Sequence, residues 1–300
     1  MDTDFVKMKF LVTGSAGLVG TQVIKDLSNQ GHTIYSCYHE SKPSDGILTQ
    51  LDLTKSDDIE KTINEINPDA IIHLAAITDV DLCETEQELA MTVNTKATET
   101  LAKHAAKNES FFVYVSTDYV FDGMNETKKE NDLPNPLCFY GKTKLEGEKR
   151  VQNLASSWCI ARTSTPFGIS KKKKSFPLFV ADSLQNNNEI KVLIDQFTSP
   201  TYLPNLSHML IEIATRQISG IIHVAGATRI SRYELAELVA DKLNLNKKLL
   251  QPITMDEISW KAKRPKDSSL DISLAAEILN EKPLVIDQSL DYFIQELQNR

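Results

Sequence analysis

The sequence is poor in the features that mark specialised proteins. Cysteine is scarce, with four residues in 300. Cys37, Cys83, Cys138 and Cys159 show no metal-type spacing and are expected as reduced thiols in strands or loops. No apolar run approaches the roughly 18 residues that a membrane-spanning helix needs, so no membrane helix is expected. Positive charge is outweighed: 33 Lys and Arg stand against 41 Asp and Glu, a net charge of -8. A nucleic-acid partner is thereby disfavoured, because neutralising phosphates takes a basic face. The opening Met1-Asp2-Thr3-Asp4 carries acids where a secretory signal would carry bases, so no signal is apparent and the cytoplasm is the expected compartment. The six histidines are scattered. His73 and His223 lie in apolar stretches and read as core, and no metal site is expected. No internal repeat is present.

What is there is ordinary globular composition, 41% hydrophobic and 25% charged, in a chain long enough for one large domain or two smaller ones. Residues 1–7 read as a disordered extension, with Met8 an alternative start. Lys9-Phe-Leu-Val-Thr13 is a short buried strand running into Gly14-Ser15-Ala16-Gly17-Leu18-Val19-Gly20, then an amphipathic helix from Thr21. A strand, a glycine turn and a helix N-terminus make the phosphate-binding arrangement of dinucleotide folds. In this reading Gly14 allows the tight turn, Gly17 lets backbone approach a pyrophosphate, and Gly20 lets the helix pack closely on the sheet. The second strand, Thr33 to Tyr38, ends in Tyr38-His39-Glu40-Ser41-Lys42. An NAD site usually carries an acid at that strand end. Tyr38 stands there, with His39 and Lys42 available for a 2′-phosphate, so the cofactor reading leans to NADP, while Glu40 keeps NAD open. Leu51-Asp52-Leu53 closes a third short strand. Asp69 to Leu74 is a fourth, followed by Ala75-Ala76-Ile77-Thr78, small enough at its start to let a cofactor lie against backbone. Asn94, in a long helical stretch from Glu86 to Asn108, is either a site residue or a residue at a helix kink.

Phe111-Phe-Val-Tyr-Val115 is a fifth buried strand, closed by Ser116-Thr117-Asp118. After a polar, Pro-containing loop comes Tyr140-Gly-Lys-Thr-Lys144 at the head of a helix. Tyrosine and lysine four apart share a helix face. An ammonium nearby favours a phenolate and draws the phenol toward the working range, and the Thr117 hydroxyl could hold a carbonyl oxygen beside it. That constellation suits hydride transfer to or from a carbon bearing oxygen. Trp158 to Ala161 is a sixth strand leading into Arg162-Thr-Ser164. The alternation implies an α/β fold, a Rossmann-type doubly wound parallel sheet over 8–165. A smaller C-terminal α+β substrate lobe occupies most of 166–300. Strands near 190–194 and 220–224 are expected to rejoin the main sheet. Lys171 to Lys174 reads as a solvated loop or an anion contact, and Ser231-Arg-Tyr-Glu234 as a helix cap.

Together these residues resemble the extended short-chain dehydrogenase/reductase superfamily and, within it, the dTDP-4-dehydrorhamnose reductases. The most specific pieces are Ser116-Thr-Asp-Tyr-Val-Phe-Asp-Gly123, Tyr140-Gly-Lys-Thr-Lys-Leu-Glu-Gly-Glu148 and Arg162-Thr-Ser164, supported by Asp195-Gln196…Pro200-Thr201 and Arg264-Pro265. The resemblance implies Tyr140 as proton donor, Lys144 as its tuner and ribose ligand, and Thr117 as the hydroxyl aligning a sugar ketone. Asp118 and Arg162 join Thr117 on the substrate side. Gly14, Ala16, Gly17, Leu18 and Val19 would cover the pyrophosphate; Asp52 and Leu53 would flank adenine; Ala75, Ala76 and Thr78 would line the way to nicotinamide. It implies a nucleotide-sugar substrate and allows a homodimer. Related 4,6-dehydratases carry Asp-Glu after the Thr; Asp118-Tyr119 here favours reduction over elimination. Two departures bear on the sugar: Thr165-Pro166 stand where a substrate-facing Trp is expected, and Thr198 replaces a glycine. A non-catalytic cofactor-binding subunit, similar to the regulatory beta subunit of methionine adenosyltransferase, shares Tyr-x-x-x-Lys and stays open, as does a reductase or epimerase of another nucleotide sugar.

Overall fold

Strands buried on consecutive residues make the central layer. A computed structural model describes residues 7–170 and 174–299. Its main sheet has seven strands: β1 (Lys9–Thr13), β2 (Thr33–Tyr38), β3 (Ile47–Gln50), β4 (Ala70–His73), β5 (Phe111–Thr117), β6 (Trp158–Thr163) and a last one, Gly220–His223. All pair in parallel, in the order 220–223, β6, β5, β4, β1, β2, β3. A parallel sheet covered on both faces needs apolar side chains on both. Phe10, Val12, Ile72, Phe111 and Val113 face one way, onto α1 (Leu18–Asn29) and α8 (Leu203–Arg216). Leu11, Ile71, Phe112 and Ile160 face the other, onto α2 (Ser56–Ile66), α5 (Ala97–Lys107) and α6 (Phe139–Leu154). Between β4 and α5 the chain makes the short helices α3 (Val80–Thr85) and α4 (Gln87–Met91) and a π-helical turn, Thr92–Lys96. The order of strands reverses beside β1, so the ends of β1, β4 and β5 open onto a crevice where such folds bind ligands.

The second lobe has its own core. It joins α7 (Phe176–Gln185), α9 (Arg232–Lys242) and α11 (Ile286–Gln298), with α10 (Ser273–Ile278) returning to the main sheet's layer. Here the structure corrects one expectation. Of the two strands expected to rejoin the main sheet, 220–223 does so beside β6, and is β8 below. The strand β7 (Ile190–Leu193) instead pairs in parallel with β9 (Leu250–Ile253) within the second lobe. Its buried residues Ile190 and Val192 belong to that lobe's core. The Ser231 cap is present in full, with Ser231 Oγ accepting from Glu234 N and Glu234 accepting from Ser231 N. Residues 1–6 of the expected extension, and Lys171, Lys172 and Lys173 of the basic run, lie outside the described residues; Lys174 pairs with Asp182 at 2.7 Å. Among the described residues no helix is long and apolar enough to cross a membrane, and no group of three or more His, Cys, Asp or Glu could hold a metal ion.

Candidate active site

The glycine turn works by contact as much as by conformation. Gly14 has φ of +66°, a left-handed backbone that favours glycine, and a Cβ there would lie 2.7 Å from Ala75 N. The turn is thus pressed against the tip of β4. A Cβ on Gly20 would meet the Gly14 carbonyl and Ser15 Cα, so Gly20 fits the first turn of α1 against the glycine turn itself rather than against the sheet. Gly17 caps α1 in extended conformation and is exposed. Ala16, Leu18 and Val19 beside it are half-buried, and the first amides of α1 lack intrahelical acceptors by geometry. That is the donor set a pyrophosphate needs.

The tip of β4 is held from beneath. Thr13 Oγ1 lies 2.6 Å from His73 Nδ1 and accepts from Ala75 N at 3.2 Å, while His73 Nε2 reaches Thr98 Oγ1 at 3.0 Å. Burial, with the Lys144 charge adding to it, pushes the His73 imidazole down to about 3, so it stays neutral core. Asn94 sits in the π-helical turn and is buried. Its Oδ1 accepts from Ile77 N at 2.8 Å, and its Nδ2 donates to Ile77 O and to Thr143 Oγ1 at 3.1 and 3.0 Å. One side chain therefore ties the Ala75–Thr78 segment to the residue before Lys144. Of that segment, Ala75 and Ala76 are half-buried and Thr78 is exposed.

Thr117, Tyr140 and Lys144 converge as the spacing implied, at the end of β5 and the first turns of α6. The Thr117 hydroxyl donates to Asp118 Oδ1 at 2.9 Å and favours the charged form of Tyr140. Tyr119 packs edge-on to Tyr140, with ring centroids 6.0 Å apart. Lys144 is held by the strand beneath it. Its Nζ donates to Val115 O at 2.8 Å and lies 4.0 Å from the centre of the Tyr114 ring. Burial draws it down to about 7, against the upward pull of Glu148. The Tyr140 phenol is not drawn down toward neutrality. Burial pushes it well up; the Thr117 hydroxyl lowers it, and Asp118, Cys83 and Tyr119 raise it.

The two further residues expected to meet substrate, Asp118 and Arg162, separate. Asp118 is at the floor of the crevice, 3% exposed, taking hydrogen bonds from Thr117 and from Ser164 Oγ at 2.7 Å. Arg162, expected to meet substrate, is turned inward. It holds Glu148 bidentately, Nε to Oε1 at 2.9 Å and Nη2 to Oε2 at 2.7 Å, with both side chains 2% exposed. Its Nη1 donates to Glu130 O, its guanidinium faces the Phe121 ring at 5.1 Å, and Ser116 Oγ donates to the same Glu148. This is a buried structural pair. Arg232, from the second lobe, is the cation nearest the floor that sequence reasoning did not single out. Its Nε donates to Gln196 Oε1, and its charge is felt by Asp118 and Tyr119. It sits at the first position of α9, where a helix cap was legible but the direction of its side chain was not.

At the adenosine end His39, Gln50, Asp52, Lys55 and Asp58 line a cleft of about 350 Å³. Lys55 there pairs with Asp52 at 3.7 Å; Lys42, the other lysine expected near the ribose, is exposed and does not line this cleft. Leu53 is half-buried. The turn, the amides of α1 and this cleft form one track that suits a dinucleotide with a phosphorylated ribose.

Comparison with known proteins agrees in outline. Residues 8–299 match the model of the RmlD substrate binding domain family. A dTDP-4-dehydrorhamnose reductase of Aggregatibacter actinomycetemcomitans is 34% identical over 287 residues, 92% of this chain and 94% of that protein. The methionine adenosyltransferase 2 subunit beta of Xenopus tropicalis is also 34% identical, over 277 residues, 89% of this chain and 81% of that protein. The crystal structure of dTDP-4-dehydrorhamnose reductase from Bacillus anthracis in complex with NADP superposes with a TM-score of 0.88 at 29% identity, covering 97% of this chain and 100% of that one. The chain therefore belongs to the RmlD substrate binding domain family, within the short-chain dehydrogenase/reductase superfamily.

Proposed function

We propose that this protein is an NADPH-dependent reductase of the C4 ketone of a nucleotide-linked 6-deoxy sugar, of the dTDP-4-dehydro-L-rhamnose to dTDP-L-rhamnose type. The observation that carries this reading is that Thr117, at the end of β5, and Tyr140 and Lys144, in the first turns of α6, stand at the same end of the sheet as the Gly14 turn, which presses on Ala75 beyond β4. Nicotinamide bound along that rim supplies hydride to the ketone carbon. Tyr140 gives the proton to the ketone oxygen, which requires the phenol to be protonated at working pH; its burial ensures that. Asn94 and Thr143 keep the Tyr140 helix in register with the Ala75–Thr78 segment. Tyr119 in place of a second carboxylate leaves no base beside Asp118 to assist loss of water, so the chemistry stops at reduction. Arg232 supports an anionic substrate on this side of the crevice.

NADP is proposed as the preferred coenzyme, with NAD accepted more weakly. His39 and Lys55 line the adenosine cleft with hydrogen-bond donors, and His39→Ala with Lys55→Ala is expected to weaken NADP binding more than NAD binding. The reading as a whole is tested by NADPH oxidation with dTDP-4-dehydrorhamnose, comparing wild type with Tyr140→Phe. Turnover lost in the variant supports it; tight NADPH binding without turnover on any of several nucleotide 4-keto sugars overturns it. That second outcome would favour a non-catalytic, cofactor-binding subunit. The 34% identity to a methionine adenosyltransferase beta subunit and the absence of the substrate-facing Trp at 165–166 give that alternative its footing.

A further inference from the structure

The helix that carries Tyr140 and Lys144 begins without a cap of its own. Cys138 stands at the N-cap of α6 in extended conformation and, among the described residues, makes no side-chain cap bond; the first turn holds no acidic residue. The opening amides of a helix have no intrahelical acceptor and need one from elsewhere. The Phe139 amide, one residue before Tyr140, finds it in α3. It donates to Oε2 of the half-buried Glu84 at 3.0 Å, across 55 positions of chain. The same turn is also pressed against backbone. A Cβ on Gly141 would meet the Tyr119 carbonyl and lie 2.9 Å from Pro136 Cβ, and the Tyr140 carbonyl accepts from Thr143 Oγ1 at 2.8 Å. Of these contacts the Glu84 bond is the one made by a side chain of another helix.

The six residues of α3 make three attachments. Asp81 is bonded by Arg264 and by Ala262 N of the second lobe, Cys83 Sγ donates to Ile77 O at 3.4 Å, and Glu84 takes the Phe139 amide. Cys83, Cys138, Tyr140 and Ala262 share one buried cluster. We propose that Glu84 is a positioning residue for Tyr140, fixing the first turn of α6 through the Phe139 amide and so aiming the phenol, a role that rests on the reductase reading for the ketone that the phenol meets. Glu84 bears on the chemical step more than on binding, because its bond is to the Tyr140 turn while the tie to the second lobe runs through Asp81. An acidic group at a helix N-terminus acts through its charge on the helix dipole as well as through its bond, and side-chain length separates the two. Glu84→Asp keeps the acid but draws it back by one methylene. Glu84→Gln keeps the length and the accepting oxygen but not the acid.

The test compares wild type with Glu84→Ala, Glu84→Asp and Glu84→Gln in NADPH oxidation with dTDP-4-dehydrorhamnose, alongside NADPH affinity. Glu84→Ala and Glu84→Asp are expected to lower kcat by about tenfold or more, within the roughly hundredfold that a misplacement of about 1 Å can cost. KM and NADPH affinity should stay within about threefold of wild type in all three, and kcat within about threefold in Glu84→Gln. Amide exchange over 138–144 reads the same bond without substrate. It should quicken in Glu84→Ala and Glu84→Asp and keep the wild-type rate in Glu84→Gln. Should Glu84→Ala not fold, the Asp and Gln variants carry the comparison. Exchange or kcat unmoved in Glu84→Asp overturns the proposal, as does a Gln variant as impaired as the Asp one. A KM that rises in step with the fall in kcat also overturns it, since that would mean α3 has frayed and released Asp81. A wild type that turns over no nucleotide 4-keto sugar overturns the reductase reading instead, and the exchange comparison then decides the Glu84 bond by itself.

Discussion

At the scale of the residue, the site is built from groups whose charge has been made costly by burial. Lys144 is the clearest case, because its ammonium is drawn down to about 7 from an ordinary value near 10.5. A lysine whose folded value lies below its unfolded one binds fewer protons folded than unfolded across that interval. Stability from this group therefore rises with pH between about 7 and about 10, and is fully penalised below it. The difference in thermal midpoint between wild type and Lys144→Met, measured from pH 6 to about pH 10, is expected to move in favour of wild type as pH rises. A flat difference would mean that Lys144 is solvated in solution. Glu148 and Arg162 make the complementary case, a charge pair with no solvent to fall back on. Glu148→Ala leaves Arg162 uncompensated and is expected to cost about 3–5 kcal/mol in denaturant unfolding. Glu148→Leu with Arg162→Met should recover much of that loss. The sequence placed Arg162 correctly at the end of β6, yet its role was not legible, because Glu148 lies on a different element and only the packing of α6 on the sheet brings the two together.

At the scale of the element, legibility followed locality. Most of the main-sheet strands were readable because each is a short apolar run whose neighbours are fixed by right-handed crossovers; the exposed edge strand β3 ends at Gln50, before the Leu51–Leu53 close expected of it. The β1–Gly14–α1 unit was readable because its parts are adjacent in the chain. The partner of β7 was not, because a four-residue strand carries no mark of which edge it joins; its mate, β9, comes some sixty residues later. Asn94 lies between these cases. A polar residue in a helical stretch could be seen, but the π-helical turn that aims it at Ile77 and Thr143 is a tertiary product. Asn94→Ala would strand the Ile77 amide and take one partner each from Ile77 O and the Thr143 hydroxyl, which keep Cys83 Sγ and Tyr140 O. The expected cost is about 2–3 kcal/mol, at the upper end for buried groups left unpaired, with faster amide exchange in 75–80 and in the first turns of α6. Exchange confined to the turn 92–96 would show that Asn94 serves only its own helix.

At the scale of the whole molecule, a bidentate ion pair helps to clasp the two lobes. Arg264, from the second lobe, holds Asp81 of α3 with Nη1 on Oδ1 and Nη2 on Oδ2, both at 3.0 Å, and Ala262 N donates to the same Oδ1 at 2.9 Å. The Trp260 ring lies 4.8 Å from the guanidinium, and Ala262 is buried in the cluster that contains Cys83, Cys138 and Tyr140. Hydrogen bonds to Arg264 and Ala262 come first in holding the Asp81 carboxyl below its usual range. The pair is only partly shielded, with side chains 15% and 34% exposed, so its energy is modest and salt-sensitive. Its leverage is geometric, because it anchors residues 260–265 over α3, just beyond the Ala75–Thr78 segment. Asp81→Ala is accordingly expected to leave the thermal midpoint within a few degrees of wild type while exposing the 254–266 stretch to limited proteolysis. NADPH affinity, which depends on the first lobe's turn and cleft, should change by less than about threefold, a loss under 1 kcal/mol. The apparent KM for a nucleotide sugar, which the proposed reaction places between the lobes, should rise more than kcat falls. Equal protease resistance in wild type and variant would show that the second lobe is held by its packing alone. A collapse of NADPH binding would place the clasp in the cofactor's support instead of the substrate's.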